Sequence, residues 1–449
     1  MKTIENTFRE HMWLTLALLL MLPVSIHAQD IIPQEGIARK FLHHLLNKEV
    51  DEMMPMFSDD FLQQVPAGQI TEIAEGLERQ LGPFGYVSRV LHEMDNNYHT
   101  VILVCRFGEM EWGMRITLDI NEKVAGFFLT MAPPASYTPP PSWVDSTAIV
   151  EIPMEVDCGD IKLPAMFTKP EAAEGFPVVV LVHGSGAHDM DQSIGPNKVF
   201  RDISWGLASK GIAVLRYEKR NFRNQRTLDI ENTTVWDEAG RDAVFAIRTA
   251  MQQPGVDPSQ VFLLGHSLGG MIAPRIAHAV PELAGIISLA GTPRQLYEII
   301  PGQMEHLMSL SETVSEEAIE QLAQTKEIVS RLRAKMEQPD AIYTTSLLGM
   351  PPSYIEDMSR HDTGKIAASL PQAILIVHAG RDYQVTIDDY NAWKSALKNH
   401  HNTTFKLYPE MDHLFVAGDG PSNPATYFEE NNVDKRVIEG IADWIRAQQ

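Results

Sequence analysis

The sequence predicts an α/β protein: a mostly parallel sheet with helices on both faces, preceded by a small α+β domain. Three observations carry this. From about residue 148, apolar runs such as VVVLVHG (178–184), VFLLGHS (261–267), GIISLAG (285–291) and AILIVHAG (373–380) alternate with helical stretches. Continuous apolar strands separated by helices mean a parallel sheet buried on both faces. Before them, residues 34–82 have helical spacing and residues 84–131 are β-rich, the succession expected of a separate α+β unit. Between the two lies APPASYTPPPS at 132–142, with five prolines. Such a stretch is a semi-rigid connection, and the domain boundary is placed there.

The bulk numbers agree with a globular chain of two or three domains. It has 449 residues, 44% hydrophobic and 21% charged. A net charge of −22 argues against the clustered basic surface that nucleic-acid binding needs. Cys105 and Cys158 are too few for a disulfide framework and are expected to be unpaired, buried thiols.

Taken in order, residues 1–28 read as a secretory signal peptide. Lys2 and Arg9 give a positive start, MWLTLALLLMLPV (12–24) an apolar core, and Ile26 and Ala28 the residues a signal peptidase reads. The apolar run is shorter than the roughly 20 residues a membrane span needs. Cleavage is expected near Ala28. The mature chain is then expected in the periplasm or the medium, with no integral membrane segment. Residues 32–131 form the small domain. Ile37, Phe41, Leu45 and Leu46, then Ile70, Ile73 and Leu77, mark its helices, and YHTVILVCRF, EWGMRITLDI and KVAGFFLTM its strands. His43-His44 suggests a metal pair, but adjacent helical residues are expected to face apart, so no metal site is assigned.

A linker over 132–147 leads to the second domain, 148–449. AIVEIPMEV and IKLPAMFTKP pair antiparallel around Cys158-Gly159-Asp160, and the alternating strands and helices follow. Residues 293–365 interrupt the alternation. They contain a long amphipathic helix, SEEAIEQLAQTKEIVSRLRAKMEQ, with Ile319, Leu322, Ile328 and Leu332 among its apolar positions. An insertion of this length is either a lid or an added structural flap.

Chemistry concentrates at Gly265-His266-Ser267-Leu268-Gly269. A G-x-S-x-G string after a strand and before a helix is a nucleophile elbow: the serine sits at strained backbone angles, so its flanks must be small. Such a serine needs a base, and the base an orienting carboxylate. In this arrangement they follow in the order acid, then histidine. Asp382, after AILIVHAG, and His413, after TTFKLYP, lie in loops at the carboxyl ends of strands, the edge where parallel sheets bind ligands. Asp388 and Asp389 read instead as helix-capping residues, and His378 as a core residue. Asp412 adjoins His413 and so points elsewhere, and His266 cannot swing back onto Ser267. The oxyanion donors are expected to be the backbone N–H of Leu268 and that of Ser185 or Gly186, in the loop HGSGAHDMD. A phosphate-binding loop is excluded there, since no Lys-Ser/Thr pair follows. The roles of Asp189 and Asp191 in that loop stay open. Arg216, Tyr217, Lys219 and Arg220 follow a strand on the same edge, where substrate binding and loop-holding salt bridges are both open.

HGSGAHDMDQSIGPNK, WGLASKGIAVLRYEKR, GHSLGG, GRDYQV and MDHLF together resemble the α/β-hydrolase superfamily over about residues 148–449. The likeness is to exported bacterial esterases and acyl hydrolases related to dienelactone hydrolases. The front domain resembles a small domain of unknown function that precedes such hydrolases, of cystatin- or NTF2-like shape. The resemblance implies a serine hydrolase with no cofactor and no metal, acting on a small-molecule ester: Ser267 the nucleophile, His413 the base and acid, Asp382 the orienting carboxylate. A thioesterase or acyltransferase, a serine peptidase of the same fold, and a catalytically silent binding protein whose front domain contacts a protein or substrate are the alternatives left open.

Overall fold

A computed structural model describes residues 33–95, 98–133, 139–171, 174–223, 232–311, 314–338, 341–347 and 350–449. The signal-peptide reading of 1–28, and residues 134–138 of the Pro-rich stretch, lie outside them.

Helices Pro33–Asn47 and Ala67–Leu81, with shorter ones between, pack on one face of an antiparallel sheet. Its strands are β1 (Phe84–Asp95), β2 (Tyr98–Phe107), β3 (Met110–Leu118) and β4 (Val124–Met131), in the order β1-β2-β3-β4. Ile37, Phe41, Leu45, Ile70 and Leu77 meet Val101, Leu103 and Cys105 in one core, as the periodicity predicts. β1 was not among the predicted strands. It is an edge strand with irregular register at Phe84/Tyr86 and Val87/Arg89, and such bulges break the two-residue period.

The larger domain holds an eight-stranded sheet, β14-β13-β12-β11-β7-β10-β6-β5. Its strands are β5 (Ile149–Asp157), β6 (Lys162–Pro170), β7 (Phe176–Val182), β10 (Ala213–Tyr217), β11 (Val256–His266), β12 (Gly285–Leu289), β13 (Ala373–Ala379) and β14 (Thr403–Tyr408). Between β7 and β10, the two-residue strands β8 (Ser193–Ile194) and β9 (Asn197–Lys198) form a small hairpin. Pairing is parallel from β10 through β14 and antiparallel where β5 and β6 join the edge. Every residue of β7, β12 and β13 is buried. Successive side chains alternate faces, so Val178, Val180 and Val182 enter one core while Val179 and Leu181 enter the other. Helices Val199–Ala208 and Lys435–Arg446 cover the second face; Arg241–Met251 and Leu268–Ala279 cover the first.

The inserted segment contributes helices Leu296–Ser309, Glu316–Met336 and Pro352–Ser359. The buried seam of the long helix is Ala318, Thr325, Val329 and Leu332, while Ile319 is 55% exposed. The expected apolar face is thus corrected: Leu332 belongs to it and Ile319 does not, because the helix rests on its neighbours through a narrow stripe. Among the described residues no helix is long and apolar enough to cross a membrane. Cys105 and Cys158 are free and buried, and burial raises both thiols above the usual range.

Candidate active site

The elbow forms where β11 ends and helix Leu268–Ala279 begins. Ser267 has φ 54° and ψ −116°, a region non-glycine residues avoid at a cost of about 1–3 kcal/mol. Two backbone bonds hold it there: its N–H donates to Leu289 O (2.9 Å), and its carbonyl accepts from Met271 N (3.0 Å). The flanking glycines are sterically required. A Cβ on Gly265 would collide with the Gly269 carbonyl and lie 2.6 Å from Gly270 N, and one on Gly269 would collide with the Val182 carbonyl. Ser267 precedes the first helical residue, so the Leu268 amide is among those with no intrahelical carbonyl to bond.

The structure brings Asp382 and His413 together across 31 residues of chain. His413 Nδ1 lies 2.6 Å from Asp382 Oδ2, and both side chains are wholly buried. The other oxygen, Oδ1, accepts from Gln384 N (2.8 Å) and Val385 N (2.9 Å). A carboxylate only accepts, so Nδ1 carries the proton and Nε2 presents its lone pair. Nε2 is buried with no hydrogen-bond partner among the described residues.

His266 fixes the backbone of this histidine. Gln192 Nε2 donates to His266 Nδ1 (2.6 Å), which leaves His266 Nε2–H to donate to His413 O (2.9 Å). Burial holds His266 well below the usual histidine range, so it stays neutral. The two rings lie 4.8 Å apart. Both ring nitrogens of His266 are therefore engaged by Gln192 and the His413 carbonyl, not by Ser267. Gln192 carried no signal in sequence; its contact with His266 spans 74 residues.

The other rivals take the places read for them. Asp389 caps helix Ile387–Ala396 and also binds Arg294 and Thr292. Asp412 Oδ1 accepts from Leu414 N and Val416 N within its own turn. His378 is buried in β13, with Nε2 2.8 Å from Thr386 O.

Ser185 and Gly186 lie in the loop after β7, and Gly186 has φ 88°. Neither amide has an acceptor among the described residues. Asp189 closes this loop by accepting from Asp191 N, Ser193 N and Ser193 Oγ. Asp191 pairs with Arg216 and Lys198. Arg216 also binds Glu151, Arg220 binds Asp242 and Asp160, and Tyr217 is in the core. Of the two readings left open for these residues, the loop-holding one describes their contacts.

The small domain docks beside this edge. The Arg39 guanidinium lies over Phe222 (4.6 Å) and that of Arg223 over Tyr86 (3.4 Å), while His92 and His99 pack edge-on against Phe428. Within that domain His43 Nε2 and His44 Nδ1 approach Glu49 Oε2 at 3.9 and 2.7 Å. All three ligand atoms lie within 4.8 Å of one another. The expectation that these histidines face apart is corrected: Glu49 lies just past the helix end, where both rings reach it.

Residues 174–418 match the family described as serine aminopeptidase, S33. Residues 38–127 match a protein of unknown function, DUF3887. Esterase EstD of Thermotoga maritima is 34% identical over 405 residues, covering 90% of this chain and 93% of the relative. The chain belongs to the α/β-hydrolase superfamily. Within it, this hydrolase falls among the esterase-type enzymes. Solved structures it resembles include Est1E from Butyrivibrio proteoclasticus, at 16% identity and a TM-score of 0.43, covering 66% of this chain and 98% of that one. Another is the esterase from the archaeon Pyrobaculum calidifontis, at 15% identity and a TM-score of 0.44, covering 66% and 85%. For the α/β-hydrolase domain, the expected fold class is the one observed.

Proposed function

We propose that this hydrolase is an exported serine carboxylesterase that works through an acyl-enzyme on Ser267. The observation that carries the reading is the His413–Asp382 pair, which leaves a buried, bare Nε2 on the edge where the elbow presents Ser267. In the proposed reaction, Nε2 takes the Ser267 Oγ proton as the oxygen attacks the ester carbonyl. The amides of Leu268 and of Ser185 or Gly186 receive the oxyanion. Collapse expels the alcohol, which takes its proton from His413, and the acyl group stays on Ser267. Water then gives a proton to His413 and attacks the acyl carbon, and the acid leaves as the serine regains its proton. Asp382 keeps Nδ1 protonated and stabilises the imidazolium.

The test is labelling with a fluorophosphonate together with turnover of p-nitrophenyl esters of graded chain length. Ser267 is expected to carry the label, and Ser267→Ala to lose both label and turnover. A Ser267→Ala variant with full turnover overturns the assignment. Acyl thioesters and aminoacyl anilides in the same assay separate the thioesterase and peptidase alternatives. Export rests on the sequence of residues 1–28; the mature protein is expected to begin at Gln29, read by mass spectrometry of the N-terminal peptide.

A further inference from the structure

We infer that Lys219 is a positioning residue for the oxyanion loop, and that the inserted segment reaches that loop through Tyr354. The inference rests on the serine-esterase reading above and adds how the second oxyanion donor is held.

Lys219 is 2% exposed. Its ammonium has three N–H donors, and three acceptors meet them: Gly184 O at 2.7 Å, Gly186 O at 2.8 Å, and the Glu238 carboxylate. Glu238 alone would suffice as an ion partner. The two carbonyls make the ammonium specific to this loop. In a trans peptide the C=O and the following N–H point in opposite directions, and the described chain has no cis peptide. With Gly184 O drawn to Lys219, the Ser185 N–H is turned away from it. The next peptide is set the same way: Ser185 O accepts from His188 Nε2 at 2.6 Å, so the Gly186 N–H points away from that ring. Asn221 Nδ2 adds a second donor to Gly186 O at 3.2 Å. The carbonyls are therefore occupied on the inner side, and the amides of Ser185 and Gly186 are left for a ligand.

Glu238 sits in a π-helical turn, Trp236–Gly240, at the start of helix Arg241–Met251; such turns are rare and recur at functional sites. Its second oxygen accepts from the Tyr354 hydroxyl at 2.8 Å. Tyr354 is buried on helix Pro352–Ser359 of the insertion. That helix is fastened to the start of the same turn, where Ser353 Oγ donates to Thr233 O at 2.8 Å and Asp357 accepts from Trp236 N at 3.1 Å, and to helix Leu268–Ala279, where Asp357 accepts from Arg275 Nη1 at 2.9 Å. This end of the insertion is thus a brace on the oxyanion loop, through the line Tyr354–Glu238–Lys219.

The test uses the full chain, with Lys219→Met and Tyr354→Phe. Fluorophosphonate titration counts competent serines in each, which separates lost protein from slowed protein. For Lys219→Met, kcat per titrated serine is expected to fall about 10- to 100-fold, less than the roughly 10²- to 10³-fold that follows outright removal of an oxyanion donor because the amides are misplaced and not deleted, with KM within about threefold. Inhibition by a trifluoromethyl ketone, whose serine adduct places an oxyanion in the hole, should weaken by the same factor as kcat/KM. Tyr354→Phe should show the same pattern with a smaller loss, about threefold to tenfold. If Lys219→Met does not fold, Tyr354→Phe carries the test with both readouts. Values of kcat above half the unmodified one, or a loss confined to KM or to the number of titratable serines, overturn the inference. Absence of label at Ser267 in the unmodified protein instead removes the esterase reading beneath it, a result distinct from a labelled protein whose kcat ignores Lys219.

Discussion

Replacing Asp382 by asparagine tests the proposed base through its tautomer and its counter-charge at unchanged shape, since the two side chains are isosteric. Oδ1 of Asp382 accepts two backbone N–H groups, at 2.8 and 2.9 Å. An amide placed here must keep its oxygen on those donors, because the flipped orientation sets an NH2 against two N–H groups. At roughly 1 to 1.5 kcal/mol for each lost bond, plus the penalty of leaving both donors buried and unpaired, the flip costs about 3 kcal/mol or more. That is a bias of about 100-fold, since 1.4 kcal/mol is tenfold. The favoured orientation aims the amide NH2 at His413 Nδ1, 2.6 Å away in the carboxylate form. Nδ1 must then accept, the proton moves to Nε2, and the base is lost. Loss of the charge that stabilises the imidazolium adds to this, so the total expected fall in kcat is about 10⁴. The assay is hydrolysis of p-nitrophenyl butyrate at pH 7.5, with the melting temperature as the folding control. Asp412→Asn is the matched comparison, because its Oδ1 can keep both turn amides without touching Nδ1; it should lose less than tenfold. Asp382→Asn retaining more than a tenth of kcat would refute this account of the pair.

Gly265→Ala should abolish soluble, folded protein rather than merely slow it, because the new methyl has only backbone in its way; wild-type melting behaviour would disprove this. Glu122 lies at φ 56°, 7% exposed, with Gln34 Nε2 at 3.2 Å, and burial raises its carboxyl to about 8. A carboxyl whose folded pKa is raised leaves stability intact below its unfolded value near 4.5 and removes it as pH rises through about 8. Glu122→Gln should therefore be close to neutral at pH 5 and stabilising by about 2 kcal/mol or more at pH 9. Urea melts at the two pH values check this, and an equal shift at both would contradict it.

Much of the candidate site was readable because its parts are local. Ser267 announces itself through glycines whose absence of side chains the turn demands. Asp382 follows the wholly buried β13 and His413 the edge strand β14, and the topology puts the ends of those strands on one edge. The parts that were not readable are contacts between distant segments. Gln192 on His266 spans 74 residues and Tyr354 on Glu238 spans 116, and nothing local marks either partner. Lys219 was visible as a basic residue on the right edge, but two of its three bonds are to main-chain carbonyls, which leave no trace in side-chain pattern. β1 and the seam of the long inserted helix were missed or misplaced for a related reason: bulges and a narrow packing stripe blur the periods that identify a strand or a helix face.

By itself, the sequence determined the domain order, the parallel sheet and the elbow, because apolar runs and glycine sterics act within a few residues and survive any tertiary arrangement. Only the tertiary structure decided which oxygen of Asp382 meets His413, which tautomer that imposes, and how Tyr354, Glu238 and Lys219 connect the insertion to the loop after β7. Those depend on hydrogen-bond directions between segments far apart in the chain, which composition and spacing do not encode.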